Sequence, residues 1–224
     1  MTVPFRQYQG ESAEARVETR RRQLLDTAYD AIASEEWKGM SIGRLCQLAG
    51  LNKRYFYESF TDLEELPAVL IEELSSDLIN RSFNTVLRVT AQGLSTALVA
   101  RHVLQTLVEF FTDDPRRTKI LFSDVVYSAS IKLKRKDAIA NLATALSAYG
   151  HYHYEGGKRT DPIASLTSAM LIGGTIEAIE SWLNGGIAMT REQLIDDLAA
   201  LWLANGDVAA ERAKSRATAT KQKR

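Results

Sequence analysis

The chain has 224 residues, 45% of them hydrophobic, and its 28 basic and 28 acidic side chains leave a formal net charge of zero. That length and apolar content suit one large or two modest packed domains and exclude wholesale disorder. The single cysteine, Cys46, excludes an intrachain disulfide. Residues 1–10 hold no apolar leader, and no run reaches the roughly 18 consecutive apolar residues of a membrane span, so a cytoplasmic protein is expected.

The neutral total hides a division. Residues 1–60 carry 9 basic and 8 acidic side chains, residues 61–210 carry 13 and 19, and residues 211–224 carry 6 and 1. The middle is acidic and the end basic, so locally placed cations still allow a nucleic-acid partner.

Along the chain, residues 1–12 lack periodicity and read as a flexible arm. Val17, Leu24, Leu25, Ala28 and Ile32 recur at helical spacing and predict a helix over about 13–35. Trp37 and Gly39 mark its exit loop. Ser41 is a natural N-cap for a short helix carrying Ile42, Leu45 and Leu48, which Gly50 stops. Asn52 caps a second short helix, whose Phe56 and Phe60, four apart, pin it to a core. Thr61 or Asp62 opens a longer helix through Leu66, Leu70, Leu74 and Leu78 as far as Leu87. Glu64 and Glu65 are placed for a capping box, and Pro67 in the second turn predicts a bend or a ragged start.

After Gly93 and Ser95 a helix runs to about Phe111. The pairs Asp114-Pro115 and Asp161-Pro162 each place an N-cap residue before a first-turn proline, and both predict helix starts. Helices are expected at about 115–128 and 131–154, with Gly156-Gly157 as a break, and from Pro162 to near Leu183. Thr190, with Gln193 in the capping-box position, begins a last helix ending near Ala204. The fold class expected is all-α: a small three-helix domain at 13–62, a larger helical body at 63–206 and a basic tail at 207–224.

The segment from Ser41 to Phe60 reads as two short helices joined by a tight turn. A helix entering the major groove end-on touches bases only with its first turns. Here those turns present Lys53, Arg54, Tyr55 and Tyr57. Arg54 or Lys53 can pair with guanine acceptors, and Tyr55 can lie against a thymine methyl or bond a phosphate. Ser41 and the N–H groups after it favour a phosphate, and Arg44 lies on the exposed side of the first short helix. Asn52 and Ser59, near the two ends of the second helix, complete the candidate DNA-binding set. Glu58 can accept from cytosine, orient Arg54 four residues away, or face solvent. Arg16 and Arg20 to Arg22 are further candidates for phosphate contact.

Several stretches together carry a family resemblance: Thr19 to Ala28, Met40 through Ile42, Ala49 to Lys53, Phe56-Tyr57-Glu58-Ser59-Phe60 and Glu64-Glu65-Leu66. Residues 16–66 resemble the N-terminal domain of the tetracycline-repressor (TetR) family of bacterial transcription regulators. The resemblance implies a homodimer placing one domain per subunit on a palindromic operator, and a C-terminal helical domain holding a small effector. Two positions depart from the pattern. Leu63 stands where the family often has a phosphate-touching lysine, and Tyr55 where it often has a small residue.

In the body, Ala169, Gly173, Gly174 and Ala178 let a partner helix approach closely, and Leu194, Leu198, Leu201 and Trp202 line the last helix. Packing between subunits as a four-helix bundle would bury both faces, although the same stripes could pack within one subunit. An effector cavity needs apolar walls and a few polar anchors. Candidates are Phe83, Leu87, His102, Leu107, Phe110, Phe111, Phe122, Tyr127, Tyr149 and Trp182, each of which could equally be ordinary core.

Other signals are weaker. His151 and His153 point apart on a helix, so no metal site is expected, and no cofactor motif stands out. Cys46 reads as core. Lys132, Lys134, Arg135 and Lys136 read as a solvated face. The tail cations Arg212, Lys214, Arg216, Lys221, Lys223 and Arg224 suit nonspecific affinity or solubility. No catalytic set stands in a recognisable context. The expected function is a repressor that binds an operator as a homodimer and releases it on binding a small molecule. The competing readings are a helical small-molecule or lipid carrier and an all-α enzyme.

Overall fold

The computed structural model of the chain describes residues 12–122, 129–154 and 161–222. Among them are nine α-helices and no strand. Helix α1 spans Ala13–Ala33, with Ser12 capping it by accepting from the Ala15 N–H. Helices α2 (Ile42–Leu48) and α3 (Lys53–Tyr57) follow, with Ser41 and Asn52 accepting from the N–H groups of Arg44 and Tyr55. Each cap satisfies a donor that a helix start otherwise leaves unpaired. Gly50, at φ 65°, turns the chain between them in the left-handed region, where a side chain would be strained. Leu24, Leu25, Ile32, Leu45 and Phe56 are fully buried where the three helices meet.

Helix α4 (Glu65–Ala91) leaves this reading head and becomes a wall of the body. Its 27 residues extend roughly 40 Å at 1.5 Å per residue. Residues 61–64 form turns instead of the expected first helical turn. The Asp62 carboxylate accepts from the N–H groups of Glu64 and Glu65, and the Glu65 carboxylate accepts from the Thr61 N–H. Pro67 therefore falls in the first turn of α4, not its second. Its missing N–H would have had no helical partner there, so the proline fits without breaking the ladder.

The body continues with α5 (Thr96–Asp113), α6 (Arg116–Phe122), α7 (Ala129–Tyr154), α8 (Ile163–Leu183) and α9 (Arg191–Gln222). The expected extension of α6 to residue 128 and the Gly156-Gly157 break lie outside the described residues. Thr190 and Gln193 cap α9 reciprocally, at 2.9 and 3.2 Å. Helix α9 does not stop near Ala204. It runs 18 residues further, through most of the segment expected to be a basic tail. Trp202, Ala209 and Ala213 are buried at helical spacing. Alanine combines the strongest helix propensity with a small apolar surface, and such a stripe escapes a search for large hydrophobic residues.

Helix α9 packs against α5 and α8, α7 lies against α8 and α4, and one continuous core joins Phe56 of the head to Phe110, Ile179 and Trp202 of the body. By length and composition α8 could cross a membrane; here it packs against α7 and α9.

Candidate nucleic-acid interface

Helix α3 is pinned from behind and open in front. Phe56 and Phe60 are buried with their rings 5.7 Å apart, while Lys53, Arg54 and Tyr57 on the same short helix are exposed. The Arg54 side chain is 84% exposed. Lys53 lies across the start of α2, and a Cβ at Gly43 would sit 3.1 Å from its Cε, so glycine there makes room for the lysine. Ser41, Arg44 and Asn52 are exposed as well. Of the eight expected residues, Ser41, Arg44, Asn52, Lys53, Arg54 and Tyr57 are exposed and Tyr55 is partly so. Ser59 differs from them: it is only partly exposed, in the turn after α3, and its hydroxyl is shut off from solvent.

Arg20, Arg21 and Arg22 of α1 are engaged within the protein, whereas Arg16 is exposed. Arg20 bonds Glu58 at 3.0 Å and lies 4.2 Å over the Tyr55 ring. Arg21 pairs with Glu18 and sits over Phe60, and Arg22 pairs with Asp26 and with Glu73 of α4. Glu58 also faces Arg54, at a longer 3.5 Å. Cys46 is buried, and burial pushes its thiol up from the ordinary range, which disfavours the reactive thiolate.

The body holds a cavity of about 650 Å3 between α4, α5, α7, α8 and α9. Its wall includes Ile79, Phe83, Val103, Leu107, Tyr149 and Trp202, with Asn80, Ser82, Thr96, Thr167 and Ser168 as polar contacts and no charged side chain among the described residues. Burial raises the Tyr149 hydroxyl pKa, so this phenol stays neutral. Phe83 and Tyr152 are 60% and 78% exposed while lining the wall, so they mark an opening to solvent.

Of the nine expected pocket residues that are described, Phe83, Leu107 and Tyr149 line this cavity. Phe110 and Phe111 are buried as an edge-to-face pair, and Phe122 stacks on Phe111. Leu87 points to solvent. His102 bonds the Leu98 carbonyl at 2.7 Å, and the Trp182 indole N–H donates to the Met189 carbonyl. Tyr127 lies outside the described residues. Large aromatic side chains fill volume, whereas Ala100, Ala145, Ala148, Gly150, Ala164, Gly206 and Ala209 leave it empty. Small residues on core-facing helix stripes were the signal that could have found this cavity.

The expected partner-facing set also divides. Leu194, Leu198 and Trp202 are buried within the subunit, and the Trp202 indole donates to the Thr175 hydroxyl at 2.8 Å. Spaced four apart, they form the stripe that α9 turns inward. Ala169, Gly174 and Leu201 are exposed, and Gly173 and Ala178 are partly so. Leu166, Met170 and Val208, not among the expected set, are exposed on the same two helices. Two further expectations change. Arg135 donates to the Ile120 carbonyl and Lys134 pairs with Glu72, so the basic run at 132–136 is partly structural. Arg216 of α9 pairs with Asp161 at 2.9 Å and belongs to the body.

Head and body are tied by a polar cluster. Arg116 of α6 bonds Asp30 of α1 at 2.6 Å and Asp114 at 2.9 Å, and lies 4.6 Å over the Tyr29 ring. The Tyr29 hydroxyl donates to Asp114, and Lys119 pairs with Glu35. Hydrogen bonding from Arg116 holds the Asp114 carboxyl below the usual range. Burial, reinforced by the Asp114 charge, pushes the Tyr29 phenol up to about 12.

No protein-family model matches the chain. Solved structures do resemble it. The fatty acid degradation regulator FadR of Bacillus halodurans superposes with a TM-score of 0.67 at 14% identity, over 87% of this chain and 97% of that one. A chain from Syntrophomonas wolfei assigned to the TetR family of transcriptional regulators gives 0.68 at 17% identity, over 84% and 95%. FadR of Bacillus subtilis, solved in complex with stearoyl-CoA, gives 0.62 at 15% identity, over 85% and 97%. The likeness spans head and body together in each case, and the chain has the fold of the TetR-family transcriptional regulators.

Proposed function

We propose that the chain is a DNA-binding transcriptional regulator, a repressor, that grips a palindromic operator as a homodimer and releases it when an apolar small molecule occupies the body. The observation that carries this reading is the α3 surface. A five-residue helix, anchored by buried Phe56, holds Lys53, Arg54 and Tyr57 outward, and a cationic, aromatic helix start suits a major groove. Two-fold pairing is supported by exposed Leu166, Met170, Leu201 and Val208, which monomeric packing leaves in water.

The cavity supports the effector class. Described walls without charge and with few polar groups suit the hydrocarbon chain of an acyl-type molecule, its charged end left at the opening by Phe83 and Tyr152, and the stearoyl-CoA complex of the Bacillus subtilis neighbour makes a long acyl thioester the first compound to try. Release requires only that the filled cavity favour a conformation with wrongly spaced reading heads. Helix α4 connects the two: Leu66 and Leu70 are buried at its start, and Ile79, Phe83 and Val86 line the cavity further along.

The test is selection of bound duplexes from a randomised pool, followed by titration of stearoyl-CoA into the selected complex. The proposal expects a two-fold symmetric sequence and ligand-dependent release. A protein that binds stearoyl-CoA but enriches no sequence would be a carrier instead.

A further inference from the structure

The contacts of Arg20 on α1 reach into the recognition surface from behind. Its Nη2 donates to one Glu58 oxygen at 3.0 Å, and the other Glu58 oxygen faces the Arg54 Nε at 3.5 Å. One carboxylate is thus shared between two guanidinium groups, with the shorter contact going to Arg20. The Arg20 guanidinium also lies 4.2 Å over the Tyr55 ring. Its Nε is shut off from solvent and has no acceptor among the described residues, as fits a group lying over an aromatic face. The side chain is 21% exposed, against 84% for Arg54. A buried Nε and an occupied Nη2 leave Arg20 poorly placed for a phosphate.

We infer that Arg20 is a positioning residue for sequence reading: it engages the Glu58 carboxylate so that Arg54 stays free for the groove, and it fixes the plane of Tyr55. The inference rests on the DNA-reading role proposed above. Without Arg20, Glu58 keeps one ion-pair partner among the described residues. That partner is Arg54, four residues back on the same helix, where an ion pair forms readily. Arg54 is then drawn along the helix and its charge offset, and Tyr55 loses the surface that orients it. Base recognition suffers, whereas general attraction to phosphate does not depend on this geometry.

The experiment compares wild type, Arg20→Gln, Glu58→Gln and the double variant on the duplex the wild type selects and on a scrambled duplex, across a salt series. Arg20→Gln is expected to cut the affinity ratio between the two duplexes by about tenfold and to leave the salt slope on the scrambled duplex unchanged. Adding Glu58→Gln to Arg20→Gln is expected to restore about threefold of that loss, because no carboxylate remains to hold Arg54. Equal weakening on both duplexes, with the slope reduced by about one, would make Arg20 a phosphate contact and overturn the inference. Failure of Glu58→Gln to restore selectivity would also overturn it. A wild type that enriches no sequence would remove the DNA-reading role itself, a distinct result.

Discussion

In the reading head, large side chains fill the space between three helices: Leu24, Leu25, Ile32, Leu45 and Phe56 are all fully buried. In the body, helices of 18 to 32 residues on α4, α5, α7, α8 and α9 surround an empty space of about 650 Å3 with alanines, glycines and modest aliphatics. The contrast follows from what each region does with its surface. The head is filled behind α3 by buried side chains, while α3 holds Lys53, Arg54 and Tyr57 outward. The body leaves a gap that a guest can complete, and a space lined by apolar groups gains contacts when filled.

The largest expected effect comes from breaking the filled side. Phe56→Ala removes a fully buried ring and should cost about 3–5 kcal/mol, read as a fall in thermal midpoint together with loss of DNA binding. A midpoint unchanged within error would mean that the head core collapses around the gap. On the open side, ending the chain after Ala204 removes Gly206, Ala209 and Ala210 from the cavity wall and the Arg216–Asp161 pair. Affinity for stearoyl-CoA, measured by calorimetry, should fall about tenfold, with about 1–3 kcal/mol lost from stability. Unaltered ligand affinity would assign the guest to another place.

A smaller effect tests the join. Arg116→Ala breaks the ion pairs to Asp30 and Asp114 and the contact over Tyr29. These groups are half-exposed, so about 1 kcal/mol of stability is expected to go. The sharper readout is the ligand-induced change in DNA affinity, which should shrink while each separate affinity holds.

The smallest effect is in pH. The Asp114 carboxyl is held below its usual value of 3.8, so its contribution is complete above that pH and fades as the pH falls through the lowered value. The Tyr29 phenol is raised, so its contribution is complete below pH 10 and fades as the pH rises towards about 12. Tyr29→Phe should flatten the alkaline limb of the stability profile and leave the neutral plateau within about 1 kcal/mol.

The head was largely legible in the sequence because its geometry is local. Ser41, Gly50 and Asn52 act on their own turns, and the Phe56–Phe60 spacing fixes which side of α3 faces inward. What escaped there was tertiary: the shielded hydroxyl of Ser59, and the engagement of Arg20 with residues 35 and 38 positions away. The body was less legible because an apolar stripe states that a face is covered, not by what. Leu194, Leu198 and Trp202 had the spacing of an interface and serve the subunit's own core. Of the large side chains expected to line a cavity, Phe83, Leu107 and Tyr149 do so, but Phe110 and Phe111 fill space, and the small residues that open the cavity carry no such signal. The end of α9 was missed because Ala209 and Ala213 are small.

The measurement closest to the central claim is the affinity of wild type and Arg54→Ala for the selected duplex and for a scrambled one at a single stated salt concentration. A base contact by this exposed side chain predicts a loss of about 10- to 100-fold on the selected duplex and at most a few-fold on the scrambled one. Equal losses on the two would reduce Arg54 to a phosphate contact and contradict sequence reading by α3.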